Sequence, residues 1–233
     1  LLLIMETKAQ TRENDSGPTQ GRFLYAVGTI SNDISEYQPL RNPQTVVNRL
    51  HAGNSPRSVL VDPKGHFVYV ADSEGVNLFR IDEQGGRLLT PLGAAAITGG
   101  VSSLAVEPQG RFVYAVQEQS NRVVILKLDR EQGSLTRLGK VLTGASPVSV
   151  AVSLVNQDSG FVFVANQSSS DISVFRLDAN SGALSEIDRV RGGDDPVSLA
   201  VYGNFVLVAN QSSNDVSVFR LDASSGGLRE GKP

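Results

Sequence analysis

FVFVANQSSSDISVFRLD, Phe161 to Asp178, returns 44 positions later as FVLVANQSSNDVSVFRLD, Phe205 to Asp222. A chain that repeats a stretch this closely is assembled from stacked copies of one supersecondary unit, and the period identifies the unit. Aligned on the aromatic that opens the stretch, copies start at Phe23, Phe67, Phe112, Phe161 and Phe205, at spacings of 44, 45, 49 and 44 residues. The opening run (Phe67 to Ala71 in the second copy) is nearly continuous in apolar and aromatic residues, as in a strand covered on both faces. It ends on a polar or small residue each time: Gly28, Asp72, Gln117, Asn166, Asn210. A Ser/Asn-rich loop then leads to a second β-rich run closing on Asp82, Asp129, Asp178 or Asp222. A glycine follows four residues later, at Gly86, Gly133, Gly182 and Gly226, so that Asp and Gly bracket a tight turn.

Working outward from this stretch completes the unit. Upstream lie the triplets Val59–Val61, Leu104–Val106, Val150–Val152 and Leu199–Val201, entered through Pro56, Val101, Pro147 and Pro196. Proline at a strand entrance removes no ladder donor. Asp62-Pro63-Lys64-Gly65 and Glu107-Pro108-Gln109-Gly110 turn this strand into the next, and the third full copy inserts Ser153 to Gly160 there, which accounts for the spacing of 49. Downstream of the Asp and Gly turn, a more polar run such as Leu135 to Leu142 fits an outer edge facing water. Four antiparallel strands recurring every 40 to 50 residues are the pattern of a β-propeller blade. The reading is all-β, a propeller of four-stranded blades forming one domain over 1–233, with repeats near 1–54, 55–99, 100–145, 146–195 and 196–233. In the first copy, Leu1 to Thr7 is the expected innermost strand, with Glu13 to Pro18 in an enlarged hairpin, and Gln38 to Val47 lacks the Asp and Gly turn.

Composition removes several functions. The net charge of −3 leaves no basic footprint for nucleic acid. The chain has no cysteine, so thiolate catalysis, disulfides and Cys-ligated zinc are excluded. The compartment stays open, periplasmic, extracellular and cytoplasmic alike. LLLIMETKAQ begins with five apolar residues, too few for a membrane span and without the basic flank of a signal peptide.

The run PVSLAVYGNFVLVANQSSNDVSVFRLDASSG, from Pro196 to Gly226, and its copies resemble the β-propeller lactonase family, 6-phosphogluconolactonase-like or carboxymuconate-cyclase-like, and beyond it the YVTN-type surface-layer propellers. The likeness runs from Phe23 to Leu228. It implies seven blades as the usual count, so five copies mean either a five-bladed closure or part of a seven-bladed ring, the partial chain being the favoured expectation. It also implies lactone-handling groups at one mouth of the channel: a Pro-Arg-His run before an innermost strand, a His-x-His run, and a Glu in an Asn-Glu pair after a second strand. Pro56-Arg57 matches the start of the first run, with Ser58 where His would stand. Gln117-Glu118 matches the pair, and no His-x-His occurs.

His51 and His66 are the two histidines. His66 falls on a turn end, the position of Arg22 and Arg111. His51, in the entrance HAGNSPRS, joins Arg57 and Glu118 as the catalytic candidates: base, anion clamp and acid. Asp72, Gln117, Asn166 and Asn210 are the candidate ligand collar on one propeller face, although Asp and Asn also cap strands for local hydrogen-bonding reasons. Asp194 and Asp195 lack a third ligand in register, so neither metal nor cofactor is expected. Asn166 and Asn210 also head Asn-x-Ser acceptor patterns, one repeat position seen twice. The leading expectation is a binding scaffold for a protein or carbohydrate partner at the propeller face. The alternative is a metal-independent hydrolase of a sugar lactone.

Overall fold

The computed structural model describes residues 2–6, 24–37, 46–82, 88–94 and 97–231. They form five antiparallel sheets of four strands, each connected in simple chain order from first strand to fourth. Blade 1 comprises Leu2–Glu6, Leu24–Gly28, Asp33–Tyr37 and Val46–His51. Blade 2 comprises Ser58–Val61, Phe67–Ala71, Val76–Ile81 and Leu88–Ala94. Blade 3 runs through Ser103–Val106, Phe112–Gln117, Arg122–Leu128 and Leu135–Leu142, and blade 4 through Pro147–Leu154, Ser159–Asn166, Asp171–Asp178 and Leu184–Arg191. Blade 5 holds Pro196–Tyr202, Phe205–Asn210, Asp215–Leu221 and Leu228–Glu230. The expected innermost strand of the first copy pairs with Leu24–Gly28. The Glu13 to Pro18 hairpin and the turn at Gly86 lie outside the described residues. Among the described residues, no helix is long and apolar enough to cross a membrane.

Successive first strands neighbour one another, so they gather about a common axis while the fourth strands form the rim. Local sequence explains the elements. Asp62, buried at the first hairpin of blade 2, accepts the N–H groups of Lys64, His66 and Phe67 at 2.6–2.9 Å. Glu107 does the same for Gln109 and Arg111 in blade 3. Those carboxylates satisfy the donors that a tight turn leaves unpaired. The fourth strands of blades 3 and 4 are mostly exposed, as their polar sequences require. Register shifts recur between third and fourth strands of blades 1 to 4, twisting the open edge away from further pairing.

Four apolar seams hold the blades in order: Tyr25 and Val27 against Val68 and Phe79, Tyr69 and Leu78 against Val113 and Leu126, Tyr114 and Ile125 against Val162 and Phe175, Phe163 and Val174 against Val206 and Phe219. Each large side chain buried there is worth about 1.5–3 kcal/mol. A second set of contacts repeats beside the apolar one. The glycine of the Asp and Gly turn in one blade sits on the opening phenylalanine of the blade before it: Gly133 on Phe67, Gly182 on Phe112, Gly226 on Phe161. All three glycines have positive φ, and a Cβ on any of them would collide with the ring. Tyr69 and Tyr114 donate their hydroxyls to the carbonyls of Gly133 and Gly182 at 2.7 and 3.1 Å. Near the axis the hydroxyls of Ser58, Ser103 and Ser149 accept the N–H of Leu104, Val150 and Leu199 in the following blade.

One expectation changes. A second strand covered on both faces holds for blades 2 to 4, where it is buried from its opening phenylalanine onward, but not for blade 5, whose pattern alternates. The same residue types stand there. The difference is a neighbour: blade 4 covers one face, and the other meets solvent.

Candidate functional site

Antiparallel order places the start of every first strand, the end of every second and the end of every fourth on the same face of the propeller. His51, Arg57, Asp72, Gln117, Glu118, Asn166 and Asn210 all occupy such positions. They share a face but differ in distance from the axis.

Arg57 precedes the first strand of blade 2, and its N–H is tied to the carbonyl of Ala71. Glu118 follows the second strand of blade 3, where its residue opens a short 3-10 turn. The loop that delivers Arg57 is held from blade 1 by Thr29, whose hydroxyl donates to the Pro56 carbonyl at 2.8 Å. Ser55, just before it, takes a left-handed conformation, and its N–H is captured by the Asn32 side chain at 2.7 Å. Together these place the Arg57 guanidinium against the Glu118 carboxylate, with Nη1 to Oε2 at 2.7 Å across the junction of blades 2 and 3. Arg57 is half exposed and Glu118 one-third exposed, so the pair is open to a ligand from solvent. In the other copies Ser102, Val148 and Val197 stand where Arg57 does, and Thr29, Ser73, Gln167 and Gln211 where Glu118 does. Charge of both signs therefore concentrates at one junction near the axis.

His51 lies elsewhere. It ends the fourth strand of blade 1, paired with Asp33, on the exposed rim and one full entrance loop before Arg57. His66 sits at the opposite face, on the turn capped by Asp62, with its ring edge-on to Phe67.

The four collar residues turn inward, none more than 3% exposed. Asp72 accepts the N–H groups of Asn54, Glu74 and Gly75 and the amide of Asn77. Gln117 donates to the carbonyls of Thr98 and Gly99 and accepts from Arg122. Asn166 donates to Asp171 and Ser173, and Asn210 to Asp215 and Ser217. Each residue clamps the entrance loop or the third strand of its own blade. Burial at this position also keeps the Asn166 and Asn210 amides away from any modifying enzyme in the folded chain. Thr29 is the site-shaping residue that the repeat pattern conceals, because its role depends on a bond to the next blade. Its one sequence signal is alignment with Glu118.

Comparison with known proteins bears on the family and the fold. The family described as "Lactonase, 7-bladed beta-propeller" matches residues 18–103 and 104–232. A 6-phosphogluconolactonase of Sodalis glossinidius is 26% identical over 143 residues, 57% of this chain and 43% of that protein. One from Pectobacterium atrosepticum is 30% identical over 143 residues, covering 56% and 42% of the two chains. The matched regions thus span less than half the length of these relatives. Among solved structures, the periplasmic gluconolactonase of Pseudomonas aeruginosa superposes with a TM-score of 0.70 at 24% identity, over 91% of this chain and 66% of that one. A protein from Lactobacillus plantarum reaches 0.77 at 20% identity, over 90% and 67%.

Proposed function

The chain belongs to the lactonase family of seven-bladed β-propellers, and on that premise we propose that it hydrolyses a sugar lactone bearing an anionic group, at the junction of blades 2 and 3. The single observation that carries the proposal is the solvent-accessible Arg57 and Glu118 pair at 2.7 Å. Relatives named 6-phosphogluconolactonase support a hydrolase over the binding scaffold.

Opening a lactone needs a water activated as it attacks the carbonyl carbon, charge stabilisation on the carbonyl oxygen, and a proton for the ring oxygen that leaves. Glu118 is the acid–base group. Its carboxylate takes a proton from the attacking water and returns one to the departing alkoxide as the ring C–O bond breaks, leaving an open-chain hydroxy acid. Arg57 holds the substrate's anionic group or the developing oxyanion through guanidinium N–H groups not engaged by Glu118. Thr29 is a positioning residue, fixing the loop that carries Arg57. His51, on the rim of blade 1, enters this scheme only if substrate extends outward across that blade.

The test is lactone hydrolysis by proton release, corrected for spontaneous opening, with a phosphorylated and an unphosphorylated gluconolactone as substrates. Glu118→Gln should lower kcat/KM by roughly 10²–10⁴-fold. Arg57→Ala should raise KM chiefly for the phosphorylated substrate. No turnover above the spontaneous rate, with saturable binding retained, would return the assignment to a binding scaffold.

A further inference from the structure

Blade 2 crosses the candidate-site face in a shorter turn than the other blades. Four residues join the second and third strands of blades 1, 3, 4 and 5, at 29–32, 118–121, 167–170 and 211–214, whereas Ser73 and Glu74 alone join Asp72 to Gly75. In blades 1 and 3 the longer turn ends on an asparagine, and the side-chain oxygens of Asn32 and Asn121 hold the N–H of Ser55 and Ser146 in the loop that enters the next blade. The short turn offers no such acceptor to the loop that enters blade 3. That loop is also bare. Gly99 and Gly100 stand where the other entrances carry Asn54 and Ser55, Ala145 and Ser146, or Asp194 and Asp195. Side chains are therefore missing from this stretch of the junction between blades 2 and 3, the junction that holds Arg57 and Glu118.

Hydrogen-bond donors border the stretch. Gln117 Nε2 donates to the carbonyls of Thr98 and Gly99, and a trans peptide sets its N–H opposite its carbonyl, so the N–H groups of Gly99 and Gly100 both point away from Gln117. Neither has an acceptor among the described residues, whereas the matching N–H groups of Asn54 and Ala145 are taken by the Asp72 carboxylate and the Ser169 hydroxyl. Gly99 is exposed and has φ +95°, and successive free N–H groups in such a turn gather anions. Arg122 adds charge. It stands where blades 1, 4 and 5 carry Asp33, Asp171 and Asp215, and it has no carboxylate partner among the described residues. Its side chain faces blade 2, because it pairs with Gln117 and the alternate residues of the same two strands, Ala115 and Val124, lie in the seam with that blade. Its Nε donates to Gln117 Oε1 at 2.7 Å, so one buried glutamine fixes both the guanidinium and the glycine loop. Glu74, the acid of the short turn, is drawn to Asn54 at 2.6 Å.

We propose that Gly99, Gly100 and Arg122 form a seat for a phosphate monoester, beside the Arg57 and Glu118 pair. Two backbone N–H groups and a guanidinium edge offer more donors than the two oxygens of a planar carboxylate use, whereas a phosphate monoester presents three. The entrance to blade 5 would repel the same anion, since Asp194 and Asp195 occupy the matching positions. That the phosphate is carried by a lactone rests on the hydrolase reading; the seat itself does not.

Titration of the isotope-labelled chain with inorganic phosphate, followed by amide NMR, should shift the Gly99 and Gly100 amides saturably. Arg122→Gln should weaken that binding roughly 10–100-fold, and Arg122→Lys, which keeps the charge, less. A further variant replaces Ser73 and Glu74 by a copy of residues 118–121, whose asparagine would take the Gly100 N–H, and should abolish the shifts. In lactone hydrolysis, Arg122→Gln should raise KM for phosphorylated gluconolactone roughly 10-fold more than for the unphosphorylated one. No turnover of either lactone, with both glycines still responding to phosphate, would remove the hydrolase reading and support the seat as a site for another phosphate monoester. Phosphate shifts that miss both glycines overturn the seat even where lactone is turned over. So does binding that is indifferent to Arg122→Gln and to the lengthened turn.

Discussion

A carboxylate that caps a turn and a glycine that clears a ring are the residue-scale devices on which this propeller depends. Asp222 illustrates the first. The Ser224 hydroxyl, its N–H and that of Ser225 hold the carboxyl down from the usual 3.8 to about 2. Asp129, Asp178 and Asp215 are lowered as well, by backbone N–H groups, by Ser181 and by Asn210 respectively. A lowered folded-state pKa contributes stability that is complete above the unfolded value and lost as pH falls through the folded one. The thermal midpoint should therefore stay flat from pH 7 to about 5 and fall between about 4 and 2. Asp222→Asn should flatten part of that fall, as measured by circular dichroism melts. Gly182 illustrates the second device. With φ +76° and Phe112 against its α-carbon, Gly182→Ala should cost about 2–4 kcal/mol in urea denaturation. These turn residues were legible in the sequence because Asp and Gly recur at fixed spacing. The partner of the glycine was not, since Phe112 lies 70 positions away.

At the scale of the element, second strands and their junctions carry most of the order. Tyr69 and Tyr114 are buried, which raises both phenols above their usual range, and each is pinned to a glycine carbonyl of the next blade. Blade 4 carries Phe163 at the same place, so the apolar seam tolerates loss of the hydroxyl. Tyr114→Phe should then cost about 1–2 kcal/mol, the value of the hydrogen bond and of a carbonyl left without it, with the structure of the seam unchanged. Equilibrium unfolding, together with a crystal structure of the variant, would check both halves of that statement. The strands themselves were readable from residue pattern, down to the polar residue closing each one. What the polar residue does was not readable. Asp72, Gln117, Asn166 and Asn210 share a position suited to a ligand collar, yet burial directs them to loop clamping within their own blades.

For the whole molecule, identical positions carry different energies according to what stands beside them. Phe161 and Phe205 open the two near-duplicate stretches, which differ at only three positions. Phe161→Ala should cost about 3–5 kcal/mol, because it empties a sealed junction. Phe205→Ala should cost less than about 1 kcal/mol, because its ring already meets water. Chemical denaturation of the pair of variants measures the contrast, and equal losses would mean that blade 5 is covered in solution. The repeat period, four strands to a blade, the turn chemistry and the shared face of the candidate site follow from the sequence alone, because backbone sterics, strand alternation and turn preferences are local. Two things came only from the tertiary structure: His51 on the rim, and Arg57 meeting Glu118 across a junction. Each depends on which chain segments, distant in sequence, pack side by side, and a repeated pattern is silent on that because every copy carries the same instructions.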